Sequence, residues 1–112
     1  HTVKPWFQGK LPFTFNLPEL AGSEFRLIGG RMAYIEQNPA AQLLFGIRKH
    51  QISVFIFEDS DTFAQSFGNG TSQRLDFNVE SWSQRGLRYV VVSDGSMADI
   101  EALSTLLRTD SK

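Results

Sequence analysis

The chain has 112 residues, of which 41% are hydrophobic and 21% charged, a balance that places it as one globular domain with a buried core and excludes a disordered segment. Eleven Lys and Arg against twelve Asp and Glu leave a net charge of -1 without the basic stripe of a direct nucleic-acid binder, and no apolar run approaches the roughly 20 residues of a membrane span. The absence of cysteine excludes disulfides, thiolate catalysis and cysteine-ligated metals, and two histidines make a poor ligand set, so neither cofactor nor metal is expected.

Residues 1–24 carry Pro5, Pro12 and Pro18, which exclude a continuous helix and make this stretch an extended arm ahead of a single domain at 25–112. Trp6, Phe7, Leu11, Phe13, Phe15 and Leu17 stud the arm; exposed together they would be an aggregation liability, so the arm is expected to lie across the folded body. From Phe25 onward short apolar runs alternate with turn signals, the pattern of an antiparallel sheet. Residues 25–28 and 31–36 read as two strand pieces flanking Gly29-Gly30, where a bulge or tight turn can form, and Gln37-Asn38-Pro39 reverses the chain. Residues 42–49 set Leu43, Phe45 and Ile47 on one face. Residues 51–58 set Ile52, Val54 and Ile56 on one face with Phe55 and Phe57 on the other, so the two segments form a hairpin turning near Lys49-His50, and its second strand is expected to be central and covered.

Residues 59–73 are polar, contain Gly and Ser and show neither period, which makes them a long loop with two stranded aromatics, Phe63 and Phe67. Residues 74–83 alternate, with Leu75, Phe77 and Val79 inward, Arg74, Asp76, Asn78 and Glu80 outward, and Trp82 breaking the polar side. Gln84-Arg85-Gly86 closes a hairpin to a β-rich strand at 87–93. The sole helix spans residues 97–108, where Ile100, Leu103, Leu106 and Leu107 recur at helical spacing; Ser96 is its N-cap, Asp99 reaches back as a short capping-box acid, and Arg108 sits at the negative end of the macrodipole. The class is α+β: an antiparallel sheet of about five or six strands, the helix on one face and the arm along an edge or the other face.

Sites of chemistry are sparse. Asp94-Gly95-Ser96-Met97-Ala98 lacks the second glycine of a nucleophile elbow, and Ser96 is explained as a cap. His50 follows Arg48 and Lys49 with no carboxylate close in sequence to orient it, which makes it a solvated turn histidine. Glu58, Asp59 and Asp61 lack the glycine and closing glutamate of a calcium loop, and Gly68-Asn69-Gly70 lacks the rest of a dinucleotide fingerprint. Asn69-Gly70-Thr71 matches a glycosylation sequon, a frequent chance match. The aromatics remain: Trp6, Phe7, Phe13, Phe63, Phe67 and Trp82 are the candidates for arm packing or partner contact.

The string HTVKPWFQGKL at 1–11, LIGGRMAYI at 27–35 and AAQLLF at 40–45, followed by His50, the strand at 52–57, Trp82 ahead of Gly86, Tyr89, Ser93-Asp94 and the closing helix, resembles the extracytoplasmic domain of bacterial transmembrane anti-sigma factors over nearly the whole chain. The resemblance implies a non-catalytic sensory or regulatory domain on the periplasmic face of the inner membrane. In such proteins an upstream membrane helix leads to a cytoplasmic helical domain, often zinc-binding through a His and two Cys, that holds a sigma factor of the extracytoplasmic-function type. It also implies an extracytoplasmic protein partner or protease that acts on the domain. The sigma-gripping residues lie outside this sequence, and a start at His1 reads as a piece cut after that helix. The residues themselves leave two further readings: a small-ligand-binding module or small hydrolase with an aromatic-lined pocket between sheet and helix, and a homodimer through a strand edge or swapped arm.

Overall fold

The computed structural model describes residues 11–13, 15, 17, 20, 22–35, 37–59, 70–74 and 76–109. Among them six strands, β1 (Arg26–Ile35), β2 (Asn38–Ile47), β3 (His50–Glu58), β4 (Gly70–Arg74), β5 (Phe77–Gln84) and β6 (Leu87–Ser93), form one antiparallel sheet, and the helix α1 (Met97–Thr109) follows, so the fold is α+β. The strand order is β1-β2-β3-β6-β5-β4. Two three-strand meanders therefore meet at the centre, where β3 and β6 pair through Val54 with Val91 and Ile56 with Tyr89. Both of those strands carry buried apolar side chains on each face, as a central position requires.

Two-residue loops join the meander strands. Arg85 (φ 55°) and Gly86 (φ 80°) are both left-handed between the paired Gln84 and Leu87, the turn whose twist matches flanking strands. Gln37 (φ 72°) and Arg48 (φ 52°) take the same region between Ile35 and Asn38 and between Ile47 and His50. The first reversal thus precedes Asn38, and Asn38 and Pro39 belong to β2 instead of the turn. Proline is tolerated there because it stands at the start of its strand. The two pieces flanking Gly29-Gly30 are one strand with a bulge, its register slipping between Leu27 and Gly29.

Two expectations downstream are corrected. The loop expected over 59–73 ends in β4, and the strand expected over 74–83 is broken between Arg74, the end of β4, and Phe77, the start of β5, which pair. Leu75-Asp76 carries no glycine or asparagine to signal that reversal. The alternation in β5 is real and Val79 is buried as expected, but on the face opposite the helix, where Phe77 is 45% exposed; Glu80 and Trp82, expected on the polar side, face α1, and Asn78 reaches the Gly95 carbonyl just ahead of it. Period-2 alternation fixes which residues share a face, not which face the helix covers.

One cluster fills the helix side: Leu43, Phe45 and Ile47 of β2, Ile52, Val54 and Ile56 of β3, Trp82 of β5, Leu87, Tyr89 and Val91 of β6, and Ile100, Leu103 and Leu107 of α1. A smaller cluster of Ala40, Phe57, Val79 and Val90 is buried on the opposite face. α1 packs chiefly over β5 and β6. Leu43, Phe45 and Ile52 on the other half of the same face are nonetheless fully buried, and Phe15, Leu17 and Phe25 complete the cluster around them.

Candidate functional site

The described part of the arm enters the main core. Phe15 and Leu17 are each 5% exposed, with Leu11, Phe13 and Leu20 partly buried against the same cluster. Phe13 and Phe15 lie 6.3 Å apart, ring centre to ring centre, at 42°. The arm thus shares the helix's face of the sheet. Burying Phe15 or Leu17 stabilises this seat by about 2 kcal/mol each, whereas ordering an extended backbone costs about 1–2 kcal/mol per residue. Among the described residues, the arm's hold on the core rests on these two buried side chains and their partly buried neighbours.

At the arm's inner end, Ser23 caps a turn by donating from Oγ to the Leu20 carbonyl (2.7 Å) and accepting from the Phe25 amide (3.2 Å). Next to it Arg48, on the β2–β3 turn, spans two carboxylates. Its Nη1 donates to both Glu24 oxygens at 3.0 Å, and its Nη2 donates to Asp99 Oδ1 and Oδ2 at 2.8 and 2.9 Å. Asp99 and then Glu24 raise the guanidinium's pKa above its ordinary value through hydrogen bonds and charge. One cation thereby ties the arm, a sheet turn and the first turn of α1 together. Asp99 is spent on Arg48 instead of on a capping box, while the Ser96 cap forms as expected, its Oγ accepting from the Asp99 amide at 3.2 Å.

The far end of α1 is fastened to β5. Arg108 Nη2 donates to Glu80 Oε2 at 2.8 Å, its guanidinium carbon stands 4.4 Å from the Trp82 ring centre, and Gln84 Nε2 donates to the Arg108 carbonyl at 3.3 Å. Trp82 stacks on Tyr89 at 5.1 Å and 6° and donates from Nε1 to Gln84 Oε1. Glu80 Oε1 and Ser104 Oγ are buried with no hydrogen-bond partner among the described residues.

On the opposite face, at the end of the sheet near the β2–β3 turn, lies an open cleft of about 410 Å³. Leu44, Phe77 and Val92 give it apolar walls, Ser53 lies among them, and Lys49, His50 and Asp94 stand on its rim. His50 is exposed at the hairpin end and packs beside Gly95, where an added Cβ would lie 3.5 Å from its ring. The space between sheet and helix, where the sequence suggested a pocket, holds the side chains of the main cluster.

Of the six aromatics singled out from sequence, Trp82 is buried beneath Arg108 and Phe13 is partly buried in the arm; Trp6, Phe7, Phe63 and Phe67 lie outside the described residues. Sequence reasoning did not single out Phe15, Leu17, Glu24, Arg48 or Asp99 as a connected unit. Phe13, Phe15 and Leu17 alternate at strand spacing, a signal that could have picked out the seated residues; the Arg48 pairs span 24 and 51 positions and leave no local trace. No group of three or more His, Asp or Glu residues that could hold a metal occurs among the described residues. No protein-family model matches the chain, and no curated protein matches it.

Proposed function

We propose that this domain is the extracytoplasmic regulatory half of a membrane-anchored anti-sigma factor, and that its arm relays a change in the domain toward an upstream membrane helix. The observation that carries this reading is the seating of Phe15 and Leu17 in the main core, with Glu24 joined through Arg48 to Asp99 at the head of α1. A relay needs an element with two arrangements whose balance an outside event can tip. An arm held by a few apolar groups and one exposed ion-pair bridge has that character: a protein partner or protease that disturbs the body frees the arm, and freeing it changes the hold on the sigma factor inside. The role is non-catalytic, and the sigma factor is met through a cytoplasmic region beyond this sequence.

Two tests follow. The reading frame upstream of His1 should encode an apolar segment of roughly 20 residues preceded by a short helical, His- and Cys-bearing domain; an ordinary soluble start would contradict the proposal. In the full-length protein, Phe15→Ala together with Leu17→Ala should change sigma-dependent reporter output while the membrane level of the protein, measured by immunoblot, stays within twofold or so of wild type. Unchanged output with an unseated arm would sink the relay.

The rim of Lys49, His50 and Asp94 around the 410 Å³ cleft favours a second reading, a small-ligand-binding module whose ligand sits on the face opposite the helix. Thermal-shift screening of small carboxylates and amines tests it, with Lys49→Ala expected to abolish any shift.

A further inference from the structure

We infer that the outer edge of β1 docks an extended segment of a partner protein, an apolar stretch flanked by acidic residues that joins the sheet beside β1. This goes beyond the sigma-regulatory proposal and does not depend on it. β1 ends the sheet and runs ten residues without proline or lysine, the residues that commonly blunt such edges. In an antiparallel pair, alternate residues turn their N–H and C=O away from the partner strand, and among the described residues no strand meets that edge. The bulge at Ile28 interrupts only its beginning; from Gly29 to Ile35 the register with β2 is continuous.

A second observation gives the edge a side-chain receptor. Beside Gly29, on the face opposite α1, lies a largely apolar pocket of about 280 Å³ lined by Gly29, Gly30, Arg31, Gln42 and Leu44. A Cβ built at Gly29 meets nothing within 4 Å, so the missing side chain is what opens the space. An added strand points alternate side chains to that face, and one large apolar group can enter the pocket while the backbone pairs, which is how strand addition gains both affinity and selectivity.

Charge selects the occupant. The charged residues of β1 are Arg26 and Arg31, both exposed; Arg31 Nε donates to Gln42 Oε1 of β2 at 2.9 Å, which leaves its terminal guanidinium nitrogens for an incoming strand, and the Arg26 guanidinium lies beside Gly46 of β2. Carboxylates on the incoming strand would pair with them across the ladder. A second copy of β1 would instead gather the arginines of both chains along one seam with no acid on either strand, so the edge is built for a different partner.

The test uses the ¹⁵N-labelled domain and synthetic peptides of the same length as β1, ten residues. The first peptide alternates Thr and Val around a central Leu, with a Glu toward each end; others carry Lys for Glu, Ala for the central Leu, or N-methyl groups on the amides of one edge or of the other. The Glu peptide should shift and protect amides of β1 and β2 alone. N-methylation of one edge should abolish binding and of the other leave it intact, and the Lys peptide should bind about fivefold more weakly. Arg31→Glu should reverse the Glu-over-Lys order, and Gly29→Val should weaken the Leu peptide to the level of the Ala peptide, each variant keeping wild-type amide shifts in α1. Any of four results overturns the inference: no binding at millimolar peptide, shifts centred elsewhere, indifference to which edge is methylated, or a doubled mass by light scattering with β1 protected in peptide-free protein, which would make the occupant a second copy.

Discussion

Arg88 stands mid-sheet on the face opposite the helix, its side chain 3% exposed, and its charge is met by Asp59 through Nε to Oδ1 at 3.1 Å and Nη2 to Oδ2 at 3.2 Å, with Nη1 donating to Ser81 Oγ at 3.3 Å. Removing the carboxylate takes two charge-assisted hydrogen bonds from a buried cation, so Asp59→Ala is expected to cost about 2 kcal/mol in urea unfolding; a loss under about 0.5 kcal/mol, the size of an ordinary surface change, would show the pair to be unimportant. Arg88→Lys should also destabilise, because an ammonium cannot reproduce the fork. Arg48 is the other informative cation. It adopts a left-handed φ of 52° that glycine would take more easily, so its side chain, and not its backbone, explains its place. Arg48→Gly should therefore keep the β2–β3 hairpin while loosening the arm. Its raised pKa gives the pH sign: on the alkaline side, the stability that Asp99 and Glu24 lend this cation is lost only as pH rises through its folded pKa, in strongly alkaline solution. Salt, not mild alkali, is what should weaken the bridge, since its guanidinium is half exposed. Neither residue's role was legible in sequence. Arg88 interrupts a β-rich run as any surface residue might, and Arg48 looks like a turn cation until the fold brings Glu24 and Asp99 beside it.

At the scale of elements, α1 is tied at both ends by an ion pair, Asp99 with Arg48 in the first turn and Arg108 with Glu80 in the last, and the second end adds a stacked Trp82 and Tyr89 beneath Arg108. Trp82→Ala removes the floor on which the last turn rests and should cost about 3 kcal/mol, with faster amide exchange over residues 104–109 than over 97–100; uniform exchange along the helix would place the fastening elsewhere. The helix itself was plain in the sequence, because Ile100, Leu103 and Leu107 mark one face and Ser96 its start. So were β3 and β6, whose β-branched runs have no other satisfactory burial. β4 and the reversal after it escaped because a five-residue polar strand, GTSQR, has no apolar alternation to announce it. The exchanged faces of β5 follow from the same limit. Asn78 and Glu80 look solvent-bound by composition, yet Asn78 donates to the Gly95 carbonyl and Glu80 receives Arg108, so polar side chains secure the helix to the sheet.

For the whole molecule, the body is two meanders fused at β3 and β6, with the arm and α1 sharing one face as unequal partners. α1 carries three fully buried aliphatics and a connection to β6 only three residues long, Asp94 to Ser96, whereas the described arm rests on Phe15, Leu17 and partly buried neighbours. The arm should consequently be the first of the two to detach, and its detachment is what the proposed relay uses. Native-state hydrogen exchange read by mass spectrometry over residues 11–25, in wild type and Arg48→Gly, measures this most directly. The account predicts protected arm amides that open in wild type at a lower free energy than β3 and β6, and lower still in Arg48→Gly, with the sheet unchanged. Arm amides exchanging at unprotected-chain rates, or opening only together with β3 and β6 in both proteins, would contradict it.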